Sequence, residues 1–324
     1  MAIVQHLQEI SDEDRAKALL PLIKETVDGW GSTDSFDTRA SSRDFAARTI
    51  MRTFFDLPKF NPHEFAIALD RIIDRMTNNI VKRPPSKEEA ANYEQALVDM
   101  RVCIDIIIQE STSDTSILTS KNFSDVEKRS LIFVLFFAGL DTTGTLLNFL
   151  LWKLGKEENL CAQFRSLSSP DEEIRFIKNI VKEGLRMHSP APIQGRYPRE
   201  PLAINMTHEN RTTSHYVVRP PEGLLYVPEI EAFNPKFFSR PNQFNPSRYP
   251  DENRAFDKIA FFGGGPHLCP GRNLALFEIE QLLLYLLQNY NPNTLSPDTL
   301  SFSSLMVRKA VSAQVSLTSL TNAS

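Results

Sequence analysis

Cysteine is scarce in this chain: 324 residues carry three, at positions 103, 161 and 269. So widely spaced, they give neither a disulfide framework nor the Cys/His cluster that structural zinc requires, and they fit a reducing compartment. An excess of charge of one sign is missing too. Lys and Arg number 36 against 40 Asp and Glu, leaving a net charge of −4. There is no basic run and no RNA- or DNA-binding module, which argues against nucleic-acid binding. Met1 to His6 lack the apolar length of a signal peptide or transmembrane anchor, so a soluble, cytoplasmic protein is expected. No internal repeat is evident and no linker composition marks a boundary. With 41% hydrophobic residues, residues 1–324 read as one domain with an ample core.

Glycine is sparse as well, 12 residues in all, yet four of them stand at 263, 264, 265 and 271 around Cys269. The segment Phe262-Gly263-Gly264-Gly265-Pro266-His267-Leu268-Cys269-Pro270-Gly271 runs into Arg272 to Gln288, where Leu274, Phe277, Leu282, Leu286 and Leu287 mark a helix. Cys269 therefore sits at the amino end of that helix, where N–H groups and the dipole favour thiolate. Taken alone, a cysteine is most often a small buried hydrophobe. Zinc would need more ligands than His267 nearby. Haem needs one strong axial ligand, and a cysteine thiolate pushes electron density onto its iron.

Elsewhere the pattern is helical from residue 12 to about 190: Glu13–Val27, Ser42–Phe55, Pro62–Val81, Glu88–Gln109, Asp125–Leu154 and Glu172–Met187. The run Leu131–Leu140 is apolar enough to raise a membrane span. Asp141, Thr142, Thr143, Thr145 and Asn148 interrupt it, and Ser124 with Glu127 has capping-box spacing at its start, so a buried core helix is expected. A carboxylate in such a helix needs a partner or a function. Tyr216–Val218 and Leu224–Val227, on either side of Pro220-Pro221-Glu222-Gly223, predict two short strands about a turn. Leu305–Val307 and Ala313–Leu317 predict another small pair.

The pattern Phe262-x-x-Gly265-x-His267-x-Cys269-x-Gly271 resembles the haem-binding signature of the cytochrome P-450 family, with histidine where arginine is commoner. Three further segments resemble that family, in its order. Ala138-Gly139-Leu140-Asp141-Thr142-Thr143 is similar to its acid–alcohol segment. Glu183-Gly184-Leu185-Arg186 is similar to its E-x-x-R pair, and Phe244-Asn245-Pro246-Ser247-Arg248 supplies the arginine that joins that pair in a buried network. The resemblance implies a mainly α fold with minor β, the cytochrome P-450 fold, and a haem b (iron protoporphyrin IX) held by Cys269 as iron ligand. It further implies that Phe262, Gly265, Gly271 and Ala138 lie against the haem, that His267 and Arg196 reach its propionates, and that Asp141 and Thr142 manage protons. The implied activity is a haem-thiolate monooxygenase that takes electrons from a separate ferredoxin or flavoprotein reductase and acts on a small apolar substrate. A peroxide-using enzyme of the same fold, or a non-catalytic haem-domain scaffold, is the alternative.

The chain also departs from the family's pattern. The usual amino-terminal sheet and first helices are not found, Trp30 has no basic residue a turn later to hold a propionate, and the stretch from Phe55 to Glu88 is short for the helices and loop over the pocket. The expectation is a haem domain short at its amino end, as a fragment or incomplete gene model would be.

Overall fold

Local signals fix where the helices begin. The computed structural model describes residues 2–80, 82–119, 123–207, 211–249, 251–296, 302–303, 309–310 and 312–320. Its helices are α1 (Ala2–Glu9), α2 (Asp12–Gly31), α3 (Thr38–Ile50), α4 (His63–Ile80), α5 (Lys87–Glu110), α6 (Asp125–Lys156), α7 (Glu158–Arg165), α8 (Pro170–Met187), α9 (Pro228–Ala232), α10 (Asn253–Lys258) and α11 (Arg272–Asn289). Ser124 opens α6 with a full capping box: its hydroxyl accepts from the Glu127 amide at 3.4 Å, and Glu127 accepts from the Ser124 amide at 2.9 Å. Ser86 and Glu89 do the same for α5. At α8, Ser169 caps the end while Pro170 and three acidic residues occupy the first turn, all favourable at a helix amino end.

The core is organised around α6. By length and composition α6 passes as a membrane-crossing helix. Its carboxyl half, however, is buried among protein, with Leu147, Leu150 and Leu151 fully enclosed. It packs on α3, α8, α11 and the strand after α11. Close approach is possible because glycines stand at the crossings: a Cβ on Gly184 of α8 would lie 2.6 Å from Cδ2 of Leu150, and one on Gly144 would lie 3.0 Å from Cγ of Arg43 on α3. A five-residue π turn, Met51–Phe55, extends α3. Phe55 and Phe65 from this side stack on Phe136 of α6 at 6.5 and 4.1 Å. Within the stretch expected to be short, α4 packs along α5. Trp30 is a core residue, stacked on Phe36 at 4.7 Å.

The strands are β1 (Phe36–Asp37), β2 (Gln194–Arg196), β3 (Leu202–Thr207), β4 (Thr213–Val218), β5 (Leu224–Tyr226), β6 (Tyr290–Ser296), β7 (Phe302–Ser303), β8 (Lys309–Ala310) and β9 (Gln314–Ser319). Their pairing corrects one sequence expectation. Strands do lie on both sides of Pro220-Pro221, but they do not pair with each other: β4 pairs with β3, and β5 pairs antiparallel with β2. Of the second expected pair, Ala313–Leu317 falls largely in β9, which lies between β1 and β6 in a three-stranded sheet. Leu305–Val307 lies outside the described residues. Strand existence is written in local composition, whereas the partner is chosen by the register that buries the better face.

Candidate active site

A buried ion network fixes the ground beneath the cysteine loop. Glu183 and Arg186, three apart on α8, meet through two bonds of 2.9 Å (Nε to Oε2, Nη2 to Oε1). Arg248 reaches the same carboxylate from its loop, with Nε 3.1 Å from Oε1. Both charged groups of the α8 pair are fully buried. Their remaining valences are met by the Ala232 carbonyl, which accepts from Arg186, by the Asn245 amide, which donates to Glu183, and by Glu252, which accepts from Arg248. This completeness makes the burial of three charges tolerable. Burial and the nearby Glu183 charge also hold the Tyr249 hydroxyl far above the ordinary tyrosine range.

From this network an aromatic path leads to the loop. Arg186 lies 5.3 Å over the Phe238 ring, and Phe238 shares a small second core with Ala232, Ile259 and Phe261. Tyr249 meets Phe256 edge-on at 5.7 Å, and Phe256 meets Phe261 at 5.2 Å. The β2–β5 ribbon holds the next residue from the other side: Gln194 donates to the Ala260 carbonyl at 2.8 Å, and the Ala260 amide donates to Tyr226 at 3.1 Å. Phe262 therefore leaves a fixed platform.

The loop itself closes when the Cys269 amide donates to the Phe262 carbonyl at 2.8 Å. Gly263 and Gly265 make that closure with φ of +74° and +56°, where side-chained residues are strained, and a Cβ on Gly263 would stand 2.6 Å from the His267 carbonyl oxygen. Arg196 of β2 reaches over the same turn, its Nη2 4.0 Å from that Cβ position. Phe262 lies under the Arg272 guanidinium at 5.6 Å. His267 is exposed. Cys269 is exposed and free, while Cys103 and Cys161 are free and buried. The expectation that the helix end favours thiolate at Cys269 needs correction. Protein packed on one side of the sulfur pushes the thiol above the ordinary cysteine range, and the Gly271 and Arg272 amides pull in the opposite direction without prevailing.

On α6 the predicted pair divides. Val134, Ala138 and Thr142, spaced by four, form a stripe that is exposed or half-buried, running along α6 toward its enclosed carboxyl half. Thr142 donates its hydroxyl to the Ala138 carbonyl at 2.6 Å, the back-bond common for threonine in helices. Asp141 is buried and turned toward α3, with Oδ1 2.9 Å from Nη1 of Arg43. The loop residues and Arg196 are brought together, and the α6 pair is joined to them through α11, which packs on α6. Two residues escaped sequence reading. Arg43 had no spacing to flag it, only the requirement that a buried acid have a partner. Glu278, within the apolar face of α11, is buried beside Thr49 and Thr143. Among the described residues no three His, Cys, Asp or Glu side chains come together as metal ligands, so Cys269 stands as a single sulfur donor.

Residues 40–316 match the family model described as cytochrome P-450. Cytochrome P-450 4d2 of Drosophila melanogaster is 25% identical over 253 residues, which make up 73% of this chain and 47% of that protein. Tabersonine 16-hydroxylase 2 of Catharanthus roseus is 25% identical over 271 residues, 78% of this chain and 49% of that protein. The chain thus spans about half the length of these curated relatives. The crystal structure of the cytochrome P-450DA heme domain aligns with a TM-score of 0.79 and 20% identity, covering 98% of this chain and 76% of that one; this is a likeness of fold.

Proposed function

Because this chain belongs to the cytochrome P-450 family, we propose that it works as a haem-thiolate monooxygenase, placing one oxygen atom of dioxygen into an apolar organic substrate. The observation that carries the reading is the loop: one solvent-facing cysteine in a chain whose other two are buried, beside Leu268, which is 50% exposed, and below Arg196. A single sulfur, cationic or donor side chains at the rim and an open apolar stripe on α6 suit a flat, apolar macrocycle that bears two carboxylates and an iron needing one strong axial ligand. Haem bound there supplies the activation of dioxygen. Cys269 would hold the iron, Arg196 and His267 the propionates, and Phe262, Gly265, Gly271 and Ala138 the faces and edge of the ring.

The chain's own residues then divide the remaining work. The Thr142 proton is committed to the Ala138 carbonyl, so its oxygen is presented to the open side as an acceptor. It orients a water molecule there, and the water carries the proton. Asp141 holds charge on the neighbouring face of the helix, paired with Arg43. Val134 and Ala138 exclude water and leave room for an apolar substrate. Electrons come from a separate ferredoxin or flavoprotein reductase, in keeping with the family's general use of redox partners. Three free cysteines fit a reducing, cytoplasmic setting. The hydroxylase named among the relatives supports oxygen insertion over peroxide-only chemistry.

The test is spectroscopic. Protein supplied with haem, reduced under carbon monoxide, should give the red-shifted Soret band of a thiolate–carbonyl complex, and Cys269→Ala should abolish it. Absence of haem uptake in wild type would sink the reading for this chain.

A further inference from the structure

The N–H and C=O groups of Ala260 tie the start of the cysteine loop to the β2–β5 ribbon, and one side chain from each strand takes one of them. Gln194 and Tyr226 are cross-strand partners, so their side chains leave the ribbon on the same face. Gln194 donates to the Ala260 carbonyl at 2.8 Å, an oxygen that also accepts from the Gly263 amide at 3.0 Å and so begins the first turn of the loop. Tyr226 accepts from the Ala260 amide at 3.1 Å and donates its own proton to Oε2 of Glu231 at 2.9 Å. A hydroxyl has a single proton to give, so donation to Glu231 fixes how its lone pairs meet the amide. Burial raises the Tyr226 hydroxyl above the ordinary tyrosine range, the Ala260 amide opposing and Glu231 adding to it, so the donor keeps its proton. Ile259 and Phe261, on either side of Ala260, are buried in the second core, which leaves the amide little freedom to find another partner.

Glu231 is itself in register with the buried ion network. It stands on α9 beside Ala232, whose carbonyl accepts from the fully buried Arg186 at 2.8 Å. A polar line thus runs from Arg186 through α9, Glu231 and Tyr226 to Ala260, and the Phe262 carbonyl beyond it closes the loop on the Cys269 amide. This line is separate from the aromatic path through Phe256 and Phe261. We propose that Tyr226 is a positioning residue for Cys269: its hydroxyl, oriented by Glu231, fixes Ala260 and through it the place where the sulfur is presented. The consequence for the iron rests on the monooxygenase reading, whereas the hold on the loop exists without haem.

Two measurements test this, one of them independent of haem. In haem-free protein, hydrogen exchange is followed at the amides of Ala260, Gly263 and Cys269. Tyr226→Phe, which deletes the hydroxyl and keeps the ring, should speed exchange at all three several-fold and leave the amides of α8 as in wild type. Glu231→Ala, which frees the hydroxyl to turn, should act in the same direction but less, and Glu231→Gln, which keeps an acceptor, should restore the wild-type rates. Leu225→Ser, on the same strand but 70% exposed, should change nothing. In haem-loaded protein, Tyr226→Phe should lower the share of the carbon monoxide complex in the red-shifted thiolate band. It should also raise the reduction potential of the iron, because water that reaches a displaced thiolate withdraws electron density from it. Wild-type exchange and a wild-type band in Tyr226→Phe would overturn the proposal, as would an equal effect of Leu225→Ser or additive effects of Tyr226→Phe and Glu231→Ala. Should Tyr226→Phe fail to fold, the contrast between Glu231→Ala and Glu231→Gln decides alone. A wild type without a thiolate–carbonyl band would defeat the enzymatic reading instead, and the exchange rates would still decide what holds the loop.

Discussion

Glu278 is a carboxyl group set in the middle of the molecule. Burial pushes it up to about 8 from an ordinary 4.5, against the opposing pull of the Thr49 and Thr143 hydroxyls, so it carries its proton at neutral pH. Below pH 4.5 both the folded and the unfolded chain are protonated here. Between 4.5 and 8 the unfolded chain has lost the proton and the folded one keeps it, so stability falls with rising pH, by on the order of 5 kcal/mol across the interval. Glu278→Gln should therefore be more stable than wild type at pH 8 and lack that component of the slope, as urea titrations at several pH values would show. Replacing Glu183 has the opposite effect on stability. Its removal strands Arg186 and Arg248, and Glu183→Ala should cost about 3–5 kcal/mol, visible as a large drop in the urea midpoint. The Glu183–Arg186 pair was legible in the sequence, because i,i+3 spacing puts both residues on one face. Glu278 was not: an acid in an amphipathic pattern is ordinarily assigned to the solvent side, and only packing from α3 and α6 removes it from water.

Helices pack here where glycine allows it. Gly184 lies against Leu150 and Leu146 of α6, so Gly184→Val forces two buried leucines off their places. It should destabilise the fold by about 1–3 kcal/mol, read from thermal and denaturant midpoints, with the α8 ion network left in place. The helices themselves were readable from period alone, since long apolar repeats and capping residues such as Ser124 and Glu127 are local signals. Strand partners were not. The double proline at 220–221 gave a plausible turn, yet β4 turns back on β3, a partner that nothing local to either strand names. The candidate site follows the same division. The loop around Cys269 declared itself through glycine and cysteine in one short stretch, whereas Arg43, nearly a hundred residues before Asp141, joined it only when α3 packed on α6.

At the scale of the whole molecule, the sheet of β1, β9 and β6 ties distant parts of the chain together. Phe36 pairs with Val315 and Asp37 with Gln314, while Thr294 on β6 pairs with Val315 from the other side. Thr38, next to β1, donates to Asn148 of α6 and accepts from the Ala313 amide. Burial at the amino end of α3 thus depends on residues made some 275 positions later in synthesis. A growing chain can form α2, α3 and α6 as soon as each has been made, because their backbone bonds are local, but the edge beside Thr38 stays unpaired until residues 313–315 have left the ribosome. During that interval a short strand and a buried-to-be threonine are open to proteases and to other nascent chains. The six residues of β9 therefore act as the closing clasp of the molecule, and synthesis that stops before them leaves all eleven described α-helices made and the protein unfastened.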